Sequence, residues 1–323
     1  MNTAACIVVR RPDPERLLVT VRSIAPQVDA VVVVVDAGAD MLAAARALRG
    51  IAVVVPVPRG TGAGAAANHG VRVLVEHGAD VVVRLDPDHV APVGMVAALV
   101  RRFEDPRVAV AAGVLGPLGA AELSGPAEAG RHGGPRGVDA CATSGSALRT
   151  DVWREVGGWD EELAADLLEF DLCLRVRQSG YVVLQDPGVV VGRPARPGRA
   201  AAAAAAHDLV ALADRAHDSV WFARKHRGVP LSVRVAGRSL PGTAAAIAGQ
   251  VVRVAVGGHD RAHVHARADV HAPAHVATPG RAATVAALLR GALAGAVVRR
   301  SPARPDVLAP RAVLRHEQSS SAA

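Results

Sequence analysis

The hydrophobic pattern over the first 110 residues alternates between two periods. Residues 4–9, 30–35, 51–55 and 81–85 are short, nearly continuous apolar runs. Such runs read as strands buried on both faces. Between them, residues 13–24, 40–48 and 65–76 space their apolar positions as a helix does, for example at Leu17, Val21 and Ile24. This order predicts an α/β fold, a mostly parallel sheet flanked by helices. Ligands of such sheets meet the carboxyl ends of the strands, near the point where strand order reverses. Further along, the pattern predicts helices over 93–103, 151–156 and 167–178, and strands over 108–112, 138–141 and 181–185. Residues 113–137 are rich in Gly and Pro and read as a loop or lid, with Gly134-Pro135 near its end.

The texture changes after Pro187. Residues 192–206 are dominated by Pro, Gly, Arg and Ala and read as a linker. Beyond it lie a helix over 208–226, a histidine-rich stretch over 256–280, and an Ala/Leu helix over 282–298. The last twenty residues have the composition of a disordered tail. The expected organisation is a domain over 1–191, a linker over 192–206 and a basic helical extension over 207–323.

The apolar run at 81–85 ends in Asp86-Pro87-Asp88-His89. In an extended segment the two carboxylates share a face. Beside a buried strand they are costly unless a positive charge meets them. A divalent cation carrying a diphosphate suits that need. A solvated turn is the plain alternative, since Asp and Pro both favour turns.

Charge sharpens the division of the chain. Of 37 basic residues, Lys225 is the single lysine. Residues 1–189 carry 18 arginines against 23 acids, whereas residues 190–323 carry 19 basic residues against 7 acids. An acidic front and a basic back argue against a nucleic-acid binder and fit a catalytic domain followed by a segment that meets an anionic surface. Cys6, Cys141 and Cys173 lack metal-ligand spacing and suggest reduced thiols. No signal-peptide pattern and no run of about 18 uncharged apolar residues is evident, so the expectation is a cytoplasmic chain without a spanning helix. The spacing of His259, His263, His265, His271 and His275 among Gly and Pro favours a solvated linker over a metal site.

Several segments in order carry a resemblance. They are Val32–Gly38, Gly60-Thr61-Gly62-Ala63-Gly64 with Asn68-His69-Gly70, and Leu85-Asp86-Pro87-Asp88. Ser144–Arg149, Val156–Glu161 and Glu169–Arg175 follow. Together with the opening strand and helix, they make residues 4–191 resemble a family 2 glycosyltransferase of the GT-A fold. Within that family they look most like bacterial rhamnosyl- and galactofuranosyl-transferases that build cell-surface polysaccharide.

The resemblance implies an inverting transfer from a nucleotide-diphosphate-sugar to a glycan or lipid-linked acceptor. It implies that Asp36 holds the nucleoside, that Asp86 faces the ribose or metal, and that Asp88 ligates Mg²⁺ or Mn²⁺. Val9, Gly62, Asn68, Ser144, Gly145 and Asp171 complete the expected substrate contacts. Glu169 is the expected general base, with Asp166 as its substitute. The family pattern has Glu-Asp where this chain has Leu168-Glu169, and a family histidine is missing from Val191-Gly192-Arg193. An impaired, sugar-nucleotide-binding protein is therefore one alternative. The helix near Trp221, Phe222 and Arg224 suits peripheral contact with an anionic membrane.

A second alternative is a dinucleotide site, since Gly60–Ala65 follows a strand, opens a helix and precedes Asp86 by about 20 residues. Against it, such a loop belongs to the first strand–helix turn, and here two units precede it. An Asp171–Arg175 ion pair is expected from their spacing alone.

Overall fold

The computed structural model describes residues 1–10, 13–36, 39–116, 134–163, 167–192, 209–226 and 281–297. Strands β1 (Thr3–Val9), β2 (Ala30–Asp36), β3 (Val53–Val57) and β4 (Val81–Leu85) form the first half of one sheet. Helices α1 (Pro14–Ile24), α2 (Ala39–Ala47) and α3 (Ala63–Glu76) connect them. Asp13 caps α1 by accepting from the Arg16 amide, and Pro14 occupies a position where its missing N–H costs nothing. Strand β3 begins two residues later than the apolar run suggests, because the Ile51 and Ala52 amides donate to the Leu48 carbonyl and close the end of α2.

The second half holds α4 (Met95–Val100), β5 (Val108–Leu115), β6 (Arg136–Gly137), β7 (Ser146–Arg149), α5 (Thr150–Glu155), α6 (Leu168–Gln178) and β8 (Val182–Val191). The sheet order is β3-β2-β1-β4-β7-β5-β8-β6. The first four strands are parallel. Strand β7 then runs antiparallel between β4 and β5. The fold is thus mixed α/β, and the mostly parallel sheet expected is antiparallel at β7 and at the β6 edge. Four residues are too few to show a strand period, which hid β7. Residues 138–141 form no strand, and β6 pairs just before them. Strand β8 also runs on past Asp186-Pro187, through register shifts against β5. The Pro sits at an irregularity where no ladder donor is lost. The buried Asp186 is held by Arg102 at 2.7 Å.

Alternation along the strands divides the core into two layers. Cys6, Val32 and Val34 face α3 and α6, packing with Val71, Leu74, Trp159 and Leu172. Ile7, Val31, Val33 and Val35 face α1 and α4, packing with Leu17, Val21, Met95 and Leu99. Helices α7 (Leu209–Lys225) and α8 (Arg281–Val297) follow. They pack together at Ala216, Ala287 and Leu288. Helix α7 docks on the domain through Trp221 in the first core layer and Phe222 against Leu174. The histidine-rich stretch, most of the 113–137 loop, Asp166 and all but the first residue of the linker lie outside the described residues. Among the described residues no helix is long and apolar enough to cross a membrane.

The α3–sheet contact is close because residue 70 has no side chain. A Cβ there would stand 2.6 Å from Cys6 Sγ and 2.6 Å from Val34 Cγ2. In an open helix, Gly→Ala is worth about 1 kcal/mol of stabilisation. Here overpacking, at about 1–3 kcal/mol, outweighs that gain. Gly70→Ala is expected to lower stability by up to about 2 kcal/mol, read as a lower urea midpoint at unchanged m-value.

Candidate active site

Three adjacent parallel strands end together. Register pairs Val9 with Val35, and Asp36 with Val57, while Ile7 pairs with Leu85 one residue before Asp86. The chain steps from β1 outward to β2 and β3, then returns to β4 on the other side of β1. The carboxyl ends of β1 and β4 therefore flank a topological switch point. The Val9 side chain is buried in the core.

The Asp86–Asp88 segment is a turn, not a strand continuation. The His89 amide donates to the Asp86 carbonyl at 3.1 Å, with Pro87 at a position where its fixed φ favours turning. Thr20 Oγ1 donates to the Pro87 carbonyl at 3.0 Å and pins the turn from α1. The shared strand face expected of the two carboxylates is therefore replaced by adjacency in one turn, half-exposed to solvent. Ser144 Oγ accepts from the Asp86 amide at 2.9 Å and lies 2.6 Å from His89 Nδ1. Asp86 Oδ2 is 3.7 Å from the same Nδ1. Serine and aspartate thus approach one ring nitrogen, which is not a nucleophile–base–orienter relay. The Ser144 contacts fix the turn.

Gly145 follows with φ +75°, a conformation glycine adopts without strain. Its amide donates to the Arg84 carbonyl at 2.8 Å, and a Cβ would stand 2.7 Å from Val191. Next to this turn, Cys141, Thr143 and Ser146 line a shallow cleft with Trp159, Glu169 and Cys173. The cleft has room for about one water-sized group. The segment 141–146 therefore joins the acidic turn on one side to Glu169 on the other. Cys141 and Cys173 sulfurs are 3.9 Å apart, and the neighbouring sulfur, reinforced by burial, pushes the Cys141 thiol well up. All three cysteines are free and buried.

Glu169 sits in the first turn of α6. Leu167, immediately before that helix, has φ +63°, the one non-glycine residue with positive φ among those described. That conformation costs an L-residue about 1–2 kcal/mol. It turns the chain into α6 so that Leu168 is buried and Glu169 lines the cleft. Leu168, where the family pattern has Glu, packs within 2.9 Å of the position a Cβ on Gly64 would take.

The remaining expected contacts are structural. Asn68 is buried; its Nδ2 donates to the Trp159 carbonyl and to Glu161 Oε1, and its Oδ1 accepts from the Trp159 amide. It holds the 157–161 turn rather than reaching a ligand. Asp171 has no exposure. The expected Asp171–Arg175 pair is present at 2.6 Å. Lys225 and His226 of the α7 segment also reach Asp171, at 2.7 and 2.8 Å. Neither Lys225 nor His226 was expected at this site. The isolated lysine in an arginine-rich chain was the available signal. Arg84 was also missed. Its buried guanidinium donates to the Cys6 carbonyl at 3.0 Å and lies 5.5 Å over the Trp159 ring.

Gly62 is the N-cap of α3, without a side-chain cap. The glycine loop it belongs to follows an edge strand, away from the switch point. The Asp160 carbonyl lies 2.5 Å from where a Cβ on Gly64 would be, so protein backbone occupies the close approach a pyrophosphate would need. This weighs against the dinucleotide reading.

Among the described residues no group of three or more His, Cys, Asp or Glu is placed to hold a metal ion. Asp86 and Asp88 place two carboxylates on one half-exposed turn. That donor set fits a hard cation that takes its other ligands from phosphate and water.

The description "Glycosyl transferase family 2" matches residues 5–121, which supports a glycosyl transferase domain there. No curated protein matches the chain. Among solved structures, GalNAc-T7 crystallised with UDP, GalNAc and Mn²⁺ is similar at 16% identity and TM-score 0.49, over 78% of this chain and 57% of that one. The S. aureus protein TarS is similar at 13% identity and TM-score 0.49, over 72% and 41%. The chain thus spans about half the length of these proteins.

The Asp171 carboxylate has a definite acid signature. Burial raises its pKa, but the Arg175 and Lys225 cations and the His226 hydrogen bond outweigh burial and hold it well below the usual carboxylate range. A depressed folded pKa contributes stability that is complete above about pH 4, the unfolded value, and is lost as pH falls toward the folded value. Asp171→Asn is therefore expected to be less stable than wild type at pH 7. The gap in urea unfolding free energy should narrow steadily below about pH 4.

Proposed function

We propose that this chain is an inverting glycosyltransferase of the GT-A type. It moves a sugar from a nucleotide-diphosphate-sugar to a hydroxyl of a glycan or lipid-linked acceptor. One observation carries the reading. The ends of β1, β2 and β4 bring Val9, Asp36 and the Asp86–Asp88 turn to a switch-point crevice, and Ser144–Ser146 links that crevice to the Glu169 cleft. The family match over residues 5–121 supports it from the sequence side.

In this reading Asp36 and the Val9 backbone hold the nucleoside, and Gly145 lets the 144–146 segment pass close to the acidic turn. Asp86 and Asp88 hold a Mg²⁺ or Mn²⁺ that, when bound, offsets the charge growing on the departing diphosphate. Glu169 accepts the proton of the acceptor hydroxyl as its oxygen bonds to the anomeric carbon. The bond from that carbon to the diphosphate oxygen breaks, and the nucleoside diphosphate leaves. Glu differs from the family's Asp by one methylene, which advances the carboxylate. The strained turn at Leu167 and the buried Leu168 set the helix start that accommodates it. Residues 1–191 form the catalytic unit, and 207–323 a basic extension that meets the anionic cytoplasmic face of a membrane in envelope polysaccharide synthesis. The donor is a rhamnosyl or galactofuranosyl nucleotide.

The test is a donor screen with Mg²⁺ and Mn²⁺. Wild type should release nucleotide only with metal present. Asp88→Ala should lose metal-dependent donor binding. Glu169→Gln should bind donor within about twofold of wild type and lose roughly 10²–10⁴-fold in kcat, the usual worth of a general base. Donor binding indifferent to EDTA and to Asp88→Ala would overturn the metal assignment. Metal-dependent binding without turnover in wild type, and no change in Glu169→Gln, would point to the impaired sugar-nucleotide binder. Failure to float with anionic liposomes would remove the membrane role.

A further inference from the structure

The α7 segment lies far outside residues 5–121, yet its Lys225 pairs with a carboxylate on each of the two elements that carry Trp159 and Glu169. Lys225 Nζ donates to Asp160 Oδ2 at 2.7 Å and to Asp171 Oδ1 at 2.7 Å. Asp160 follows Trp159, which lines the cleft on the 157–163 turn. Asp171 lies two residues after Glu169, which lines the cleft on α6. One ammonium thus ties the 157–163 turn to α6. Trp221 Nε1 adds a 2.9 Å bond to Asp160 Oδ2, and His226 Nε2 a 2.8 Å bond to Asp171 Oδ1.

The other face of Asp171 is tied by a second cation. Arg175 Nε and Nη2 donate to Asp171 Oδ2 at 2.9 and 2.6 Å. The same guanidinium donates to the Gly158 carbonyl at 2.6 Å and to the Val156 carbonyl. Arg175 closes the turn from inside the domain, and Lys225 closes it from the extension. Lys225 and Asp160 are nearly buried and Asp171 fully so. Breaking the arrangement therefore leaves a carboxylate without a counter-charge in a poorly solvated place. A compact ammonium with three donors can meet both carboxylates at 2.7 Å, whereas a planar guanidinium fork is built for one carboxylate at a time.

We propose that Lys225 is a positioning residue that holds the Trp159 turn against the Glu169 helix, so that the α7 segment completes the transfer site. The inference rests on Glu169 acting as the base in the proposed function. It makes the basic extension part of the catalytic apparatus, besides any role at a surface. A cleft with room for about one hydroxyl has little tolerance: a misplacement of about 1 Å costs roughly 10²-fold in rate.

Full-length Lys225→Met is expected to lose at least about tenfold in kcat, with the donor KM within about twofold of wild type. Lys225→Arg should recover part of the loss. Amide hydrogen exchange in Lys225→Met should quicken over 157–163 and the first turn of α6, and stay unchanged in β1–β4. A kcat within about twofold of wild type, or unchanged exchange over 157–163, would overturn the proposal. Should Lys225→Met not fold, Asp160→Asn removes the ion pair to the turn while sparing the lysine's bond to Asp171. It should reproduce the kcat loss, and a kcat within about twofold would overturn the proposal equally. If wild type transfers no sugar from any donor, the glycosyltransferase reading fails, and hydrogen exchange alone then decides whether the clamp exists.

Discussion

A carboxylate that is wholly removed from water organises this half of the molecule. Asp171 receives Arg175 on one oxygen, and Lys225 and His226 on the other. A buried charge of this kind contributes little net stability when paired and is severely destabilising when left alone. What it secures is arrangement. Its partners come from its own helix and from a segment more than fifty residues later, so the charge is satisfied only when α6 and the α7 segment are both in place.

The acidic turn depends on a different kind of constraint. Hydrogen bonds from Thr20 to the Pro87 carbonyl and from the Asp86 amide to Ser144 hold Asp86–Asp88 from both neighbouring elements. Neither of these bonds uses a carboxylate oxygen of Asp86 or Asp88. The two halves of the proposed site thus differ in how far their carboxylates are removed from water. Around Asp171, charge is buried and fully partnered to fix geometry. At Asp86 and Asp88, backbone and hydroxyl contacts fix geometry, and the carboxylates lie in a half-exposed turn.

Asn68 shows how these halves share a scaffold. It projects from α3, whose close seat on the sheet requires Gly70, and it holds both the amide and the carbonyl of Trp159. Gly158, at φ +71°, leaves space for that contact, since a Cβ there would collide with Asn68 Oδ1. The first strand–helix units therefore support the cleft wall on which the later segment acts.

The chain's local patterns determined much by themselves. Apolar runs placed β1, β2 and β4, helical periodicity placed α1, α3, α6 and α7, and the abrupt change from Leu85 to Asp86 marked a strand end carrying charge. These features are legible because burial on both faces, or on one stripe, imposes a period on neighbouring residues. Tertiary structure decided the rest. A four-residue strand such as β7 has no period to detect, and Asn68 and Asp171 look the same in sequence whether they face a ligand or a buried partner. Lys225 was visible as an isolated lysine, but its two carboxylates lie 65 and 54 residues away in the chain. Only the packing of α7 against α6 and the 157–163 turn brings them to 2.7 Å, because a buried charge is satisfied by proximity in space and leaves no spacing rule in sequence.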